Sequence, residues 1–96
     1  MTKSKTIKVL VVDDHEMVRR GLTAYLETEN DITVVGEAND GSQAIEMVKT
    51  LVPDVILMDL IMENMGGIEA TAQIKEMFPQ IQIIILTSFI DEKLIF

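Results

Sequence analysis

The fold is specified by residues 55–60, whose sequence is Val-Ile-Leu-Met-Asp-Leu. Four consecutive apolar residues lead into a carboxylate, with Pro53 before the segment and the pair Gly66 and Gly67 after it. A short apolar run between such turn residues predicts a strand that is buried on both faces, as in parallel α/β sheets. Because ligands in these sheets bind outside the carboxyl ends of the strands, we expect Asp59 to be a functional residue.

Similar apolar, β-branched runs occur three more times and alternate with segments of helical periodicity. Strands are predicted at residues 7–12, 32–37, 55–59 and 81–86. Helices are predicted at residues 15–28, 41–51 and 67–77, and residues 91–96 have the pattern of the first turns of a fourth helix. Strands that alternate with amphipathic helices predict an α/β domain with a parallel sheet, helices on both faces and right-handed crossovers.

The helical segments also carry predicted caps and apolar stripes. Asp40 and Gln43 form a capping box, in which Gln43 reaches back over the helix start. The first helix has an apolar stripe that is formed by Val18, Leu22, Tyr25 and Leu26. Met17 lies about 100° around the helix from this stripe. We predict that it is half-buried at the edge of the core, and the alternative is an interface contact.

Composition limits the possible functions. The 96 residues predict one small domain, with 48% hydrophobic residues, a net charge of −8 and no cysteine. The apolar runs are too short for a membrane span or a signal peptide, which predicts a cytoplasmic protein. The acidity argues against nucleic-acid binding by this segment. It fits a bound cation or a basic partner, and it fits ordinary solubility equally well.

Three of the predicted strands end in residues with side-chain oxygen atoms. The first strand is followed by Asp13 and Asp14, the third ends at Asp59, and the fourth is followed by Thr87 and Ser88. If these strands are neighbours, the side chains converge at one edge of the sheet. Crowded carboxylates raise one another's pKa, and an oxygen-preferring cation such as Mg²⁺ relieves that repulsion. The alternative is that individual residues only cap helices or form turns.

Three motifs resemble those of the receiver domain of bacterial two-component response regulators. They are Val-Val-Asp-Asp-His at residues 11–15, Val-Ile-Leu-Met-Asp-Leu at 55–60 and Ile-Ile-Leu-Thr-Ser at 84–88. The segments DDHEMVR, LMDLIME and SFIDEK are similar to the NarL/LuxR subfamily, in particular to LiaR/VraR-like regulators. The resemblance covers the whole chain and implies a flavodoxin-like (CheY-like) doubly wound parallel sheet.

The resemblance also implies a role for each matching residue. Asp59 is expected to accept a phosphoryl group from a phosphohistidine on a sensor histidine kinase. Asp14, Asp59 and the backbone carbonyl of Ile61 are expected to bind Mg²⁺, with Asp13 helping, partly through water. The Thr87 hydroxyl is expected to donate a hydrogen bond to the phosphoryl group and to take part in the switch. Such a domain is not an enzyme in the usual sense, and phosphorylation is expected to favour a homodimer.

Two further residues near these motifs have more than one interpretation. His15 is the only histidine, but the phosphohistidine of the family belongs to the partner kinase. We therefore predict that His15 starts a helix and shapes the edge of the pocket. Ser88 either lines the access to Asp59 or is a solvated loop hydroxyl.

The chain departs from the pattern of the family in two ways. Gly66 and Gly67 stand where the family commonly has Asp before Gly, which predicts a looser loop and a weaker helix start. The fifth strand with its lysine, the fifth helix and a helix-turn-helix DNA-binding domain have no counterpart, so we expect a truncated receiver. The strand at 81–86 then becomes an exposed hydrophobic edge, which predicts an unstable, oligomeric or domain-swapped chain.

Two other functions compete with the phospho-accepting receiver. A Mg²⁺-dependent aspartyl-phosphate hydrolase needs a second aspartate two positions after its nucleophile, where this chain has Ile61. A degenerate receiver that acts only as an interaction module is favoured by the missing lysine. It is opposed by the presence of Asp13, Asp14, Asp59 and Thr87.

Overall fold

A computed structural model describes residues 6–86, which form a four-stranded parallel sheet and three helices. The strands are β1 (Ile7–Val12), β2 (Ile32–Ala38), β3 (Val55–Asp59) and β4 (Gln82–Leu86). The helices are α1 (Glu16–Leu26), α2 (Gly41–Leu51) and α3 (Gly67–Met77). The predicted alternation of strands and helices is confirmed. The first helix is shorter than predicted, and the segment predicted to start a fourth helix lies outside the described residues.

The spatial order of the strands is β2-β1-β3-β4. The chain passes from β1 to β2 on one side, and β3 then pairs with the other side of β1. In a doubly wound sheet, this reversal opens a crevice at the carboxyl ends of the two central strands. The crevice therefore lies at the ends of β1 and β3, where the sequence has its aspartates.

The main core fills the space between the sheet and the helices α2 and α3. It contains the largest fully buried side chains of the two central strands, among them Leu10, Val12, Ile56 and Met58. Val9 and Val11 alternate with Leu10 and Val12 and are buried on the opposite face of β1. Both faces of β1 are thus covered, as the unbroken apolar run predicts.

Gly36 lies at an irregularity in the pairing of β1 with β2, where Val9 pairs with Val34 and Leu10 pairs with Gly36. A Cβ atom at Gly36 would be 2.7 Å from Cε of Met47 on α2. The glycine therefore allows α2 to pack directly against the strand.

Helix α1 is less buried than its sequence predicts. Its side chains Val18, Leu22 and Leu26 are only half-buried within the described part of the chain, and Tyr25 is 69% exposed. Met17 is 88% exposed, so the prediction of a half-buried methionine at the core edge is wrong. No residue among 6–86 covers the side of α1 on which Met17 lies.

β4 is an edge strand of the sheet that residues 6–86 form, where it pairs with β3 alone. Ile84 at the centre of β4 is 52% exposed, in agreement with the predicted hydrophobic edge. The expected instability or oligomerisation stays a prediction. Among the described helices, none has the length and apolarity needed to cross a membrane.

Candidate functional site

The strand register places Asp13 beside Asp59. Val12 of β1 pairs with Met58 of β3, and the next residue on each strand is an aspartate. Both carboxylates lie at the same edge of the sheet and are buried, with 0% of Asp13 and 2% of Asp59 exposed. The predicted convergence of the first and third strand ends is therefore confirmed.

Asp14 and His15 complete a cluster with these two aspartates. One ligand atom from each of the four residues lies within 4.8 Å of the others. The strand ends in the sequence predict that the three aspartates lie together, and they predict His15 only at the edge of the pocket. The sequence does not predict that the ring lies within the cluster, because the direction of the backbone after the end of β1 determines where the ring is placed.

Three carboxylate oxygens of the cluster are buried without a hydrogen-bond partner among residues 6–86, and one of them, Oδ1 of Asp14, lies 2.9 Å from Nδ1 of His15. The other two are Oδ2 of Asp13 and Oδ2 of Asp59. An uncompensated buried carboxylate is costly, and a bound cation can supply the missing interaction. The cluster thus has the chemistry of a cation site with oxygen ligands.

Burial raises the pKa of Asp59 above its ordinary value, and repulsion from the carboxylates of Asp13 and Asp14 raises it further. Hydrogen bonds donated by the backbone N–H groups of Ile61 and Leu60 partly oppose this shift. The charged form of Asp59 is therefore destabilised in the absence of a cation, and positive charge nearby stabilises it.

Asp13 is held in place from two sides. The backbone N–H of His15 donates a 2.8 Å hydrogen bond to Oδ1 of Asp13, which fixes the carboxylate orientation. Nη1 of Arg19 donates a 2.8 Å hydrogen bond to the backbone carbonyl of Asp13, while its Nε contacts Glu37 at 3.1 Å. Helix α1 is thereby anchored to the ends of β1 and β2, and the site acquires a rigid wall.

The loop between β3 and α3 forms another wall. Asn64 adopts a left-handed backbone conformation with φ of 65°, and its side chain donates a 2.9 Å hydrogen bond to Oδ2 of Asp40. The backbone N–H of Gly41 donates to the carbonyl of Met65 at 3.0 Å. Ile61 in this loop directly follows the strand end and is 60% exposed. The role expected of its carbonyl as a Mg²⁺ ligand stays a prediction.

Asp40 has two functions in this arrangement. Its Oδ1 accepts a 2.8 Å hydrogen bond from the backbone N–H of Gln43, which confirms the predicted helix cap of α2. The Gln43 side chain reaches back to the N–H of Asn39. The hydrogen bond from the Gln43 backbone, followed by that from Asn64, lowers the pKa of Asp40. The sequence predicts the cap but not the link to the loop, for which the turn-forming residue Asn64 is the only local signal.

A polar cleft with a volume of about 410 Å³ opens beside the cluster. Its lining residues are Asp14, His15, Asn39, Asp40, Glu63 and Asn64. Carboxylates and amides surround the cleft, so it suits a hydrated cation or a small polar group better than an apolar ligand. Thr87 and Ser88, the other predicted site residues, lie outside the described residues.

A family model for the response regulator receiver domain matches residues 9–96. The chain belongs to this family. The response regulator protein VraR of Staphylococcus aureus is 60% identical to this receiver domain over 88 residues, which are 92% of this chain and 42% of VraR. The chain thus spans less than half the length of the curated relatives it matches. The expected similarity to VraR-like regulators is confirmed.

Solved structures show the same fold. A LuxR-family response regulator from Aurantimonas sp. SI85-9A1 has 36% identity to this receiver and a TM-score of 0.80, covering 84% of this chain and 58% of that one. RcsB from Salmonella enterica, bound to promoter rprA in the presence of the phosphomimetic BeF3−, has 32% identity and a TM-score of 0.77. That match covers 84% of this chain and 42% of RcsB. The CheY-like doubly wound fold is therefore confirmed.

Proposed function

We propose that this receiver domain accepts a phosphoryl group on Asp59 from a phosphohistidine of a sensor histidine kinase. The observation that carries the proposal is the buried Oδ2 of Asp59, which has no hydrogen-bond partner among residues 6–86 and faces the carboxylates of Asp13 and Asp14. A reactive carboxylate at a strand end, beside groups that can bind a cation, is the arrangement that phosphoryl transfer requires.

Mg²⁺ fits the residues at this edge of the sheet. Asp14, Asp59 and the backbone carbonyl of Ile61 would hold it, with Asp13 helping partly through water, in agreement with its preference for oxygen ligands and few carboxylates. When bound, it would neutralise charge on the phosphoryl oxygens. The uncompensated oxygens of Asp13 and Asp59 support this assignment, because a cation supplies the interaction that they lack.

In the transfer step, a carboxylate oxygen of Asp59 attacks the phosphorus atom of the phosphohistidine. The new P–O bond forms as the P–N bond breaks, and the electron pair of that bond stays on the departing imidazole, which takes up a proton. The backbone N–H groups of Ile61 and Leu60 orient the attacking carboxylate. Thr87 would then donate its hydroxyl hydrogen bond to a phosphoryl oxygen.

The proposed context is a cytoplasmic transcriptional regulator that is not itself an enzyme. In a longer protein, phosphorylation would favour a homodimer, and a helix-turn-helix domain beyond this segment would bind DNA. The promoter-bound state of RcsB supports this context for a chain of the same family. The net charge of −8 agrees with the absence of a DNA-binding role for the segment itself.

The test is intact-mass spectrometry after incubation with acetyl phosphate and Mg²⁺. The parent chain is expected to gain one phosphoryl group, and Asp59→Asn is expected to gain none. Asp31→Asn, which changes an exposed aspartate outside the cluster, serves as the matched control and should be phosphorylated like the parent. A folded parent chain that gains no phosphoryl group would contradict the proposal and favour the interaction module.

A further inference from the structure

The ring of His15 lies beside two carboxylates of the acidic cluster. Its Nδ1 atom is 2.9 Å from Oδ1 of Asp14 and 3.1 Å from Oδ1 of Asp13. About half of the His15 side chain is exposed, while Asp13 is completely buried. The imidazole therefore lies at the exposed edge of the cluster, next to the buried carboxylate of Asp13.

These separations, which also suit a hydrogen bond between the ring and either carboxylate, match those of donor atoms that share one metal ion. Two neighbouring ligands at about 2.1 Å from a metal lie about 3.0 Å apart when they subtend a right angle. A metal ion bound to Nδ1 in the neutral form of the ring, and to one oxygen each of Asp13 and Asp14, therefore keeps the two nitrogen–oxygen separations that the structure shows.

The backbone limits how far the ring can move. His15 is the N-terminal cap residue of α1, and its carbonyl accepts a 2.9 Å hydrogen bond from the N–H of Arg19. Its own N–H donates to Oδ1 of Asp13. Both bonds fix the position of the Cα atom relative to the carboxylates, so the imidazole is held near the cluster.

Two independent observations point to a metal ion at the acidic cluster. The buried oxygens of Asp13 and Asp59 lack partners among residues 6–86, which indicates that a cation is needed. The imidazole adds a nitrogen donor, which Zn²⁺ accepts readily and Mg²⁺ does not use. The nitrogen donor therefore determines which class of ion the cluster can hold in addition to Mg²⁺.

We propose that this site also binds a nitrogen-preferring divalent transition metal ion, with His15 as a ligand beside Asp13 and Asp14. The proposal rests on the metal site of the proposed function and extends it. Zn²⁺ bound in this way occupies the position of Mg²⁺ and excludes it, whereas Mg²⁺ binds without the imidazole. His15 is then a specificity-determining residue for the metal and has no role in accepting the phosphoryl group.

Calorimetric titrations with zinc chloride and, separately, with magnesium chloride test the proposal. His15→Gln is expected to weaken Zn²⁺ binding at least about tenfold and to change Mg²⁺ binding by less than about twofold. Asp13→Asn should weaken the binding of both ions, and Asp31→Asn should change neither. Zn²⁺ affinity that survives His15→Gln overturns the proposal. So does Zn²⁺ affinity that depends on His15 and is unaffected by Asp13→Asn, because an exposed imidazole alone then holds the ion.

A second measurement needs no variant. Because the sequence contains a single histidine, the ¹⁵N resonances of its ring are unambiguous in the parent chain. Zn²⁺ is expected to shift the Nδ1 resonance strongly, and Mg²⁺ is expected to leave it nearly unchanged. A ring that does not respond to Zn²⁺ while Mg²⁺ still binds overturns this inference and leaves the proposed function intact. If neither ion binds, the metal site of the proposed function fails as well.

Discussion

The side chain of Asn64 donates a 2.9 Å hydrogen bond to Oδ2 of Asp40, and this bond joins the β3–α3 loop to the start of α2. Asn64 is one of two non-glycine residues with positive φ in the described part of the chain, at 65°. Asparagine adopts this conformation more readily than most residues because its short polar side chain forms local hydrogen bonds. Asn64 therefore forms the turn of the β3–α3 loop and also attaches this loop to the start of α2.

Two substitutions of Asn64 separate these contributions. Asn64→Gly keeps the left-handed conformation accessible and removes the hydrogen bond, which is expected to lower the free energy of unfolding by about 0.5–1.5 kcal/mol. Asn64→Ala removes the same bond and adds backbone strain of about 1 kcal/mol. Urea unfolding should therefore rank the alanine variant below the glycine variant. The opposite ranking would show that the loop rearranges freely.

The raised pKa of Asp59 predicts how stability changes with pH in a metal-free buffer. The folded chain holds the proton of Asp59 more tightly than the unfolded chain, whose value is near 3.8. The free energy of unfolding that this group contributes therefore falls as pH rises above 3.8 toward the folded pKa. Asp59→Asn removes the buried charge and is expected to stabilise the protein at pH 7 by about 1–3 kcal/mol.

The stabilisation by Asp59→Asn should shrink as the pH falls toward 3.8, because the raised pKa of Asp59 favours the protonated carboxyl in the folded parent. Urea unfolding at a series of pH values in EDTA measures the difference in free energy of unfolding between Asp59→Asn and the parent. Asp31→Asn is the control. A stability difference that stays constant from pH 4 to pH 7 would exclude Asp59 as the source.

Gly66 and Gly67, the cap residue and the first residue of α3, are expected to respond to substitution in opposite ways. Gly66 is the cap residue with ordinary extended backbone, and it makes no side-chain cap hydrogen bond. Gly66→Ser is expected to raise the free energy of unfolding by about 0.5–1 kcal/mol, through a cap hydrogen bond and reduced freedom of the unfolded chain.

Gly67 cannot accept a side chain at its present position, because a Cβ atom there would overlap the backbone carbonyl oxygen of Asp59. Gly67→Ala is therefore expected to destabilise the protein by about 1–3 kcal/mol and to slow phosphorylation, since the end of β3 must shift. Thermal unfolding of Gly66→Ser, Gly67→Ala and the parent tests both predicted changes in stability. If Gly67→Ala were as stable as the parent, the loop would not be tightly packed on the strand end.

Mg²⁺ is expected to stabilise the folded chain. At a Mg²⁺ concentration about one hundred times the dissociation constant, binding to the folded state adds about 2.7 kcal/mol to the free energy of unfolding. Thermal unfolding in Mg²⁺ and in EDTA measures the effect, which Asp13→Asn should remove and Asp31→Asn should preserve. Equal stabilisation of Asp13→Asn and the parent would place the bound ion elsewhere.

Sequence alone predicts the aspartate pair because apolar runs that end in carboxylates mark the carboxyl ends of buried strands. It cannot predict the register, in which Val12 pairs with Met58 and brings Asp13 beside Asp59. Helical periodicity shows that Val18, Leu22 and Leu26 share one face of α1, and it does not show how much of that face is covered. The position of the His15 ring depends on local backbone geometry that no sequence spacing encodes.

The central position of β1 has a consequence for synthesis on the ribosome. β1 is made first, and both of its partners, β2 and β3, follow later in the chain. At about 5–20 residues per second, several seconds separate the appearance of β1 from that of β3. During that interval the apolar residues Val9 to Val12 have no complete sheet to join. The repulsion between Asp13 and Asp59 arises only when β3 docks, so the nascent chain encounters this unfavourable charge pair after most of its core residues have been made.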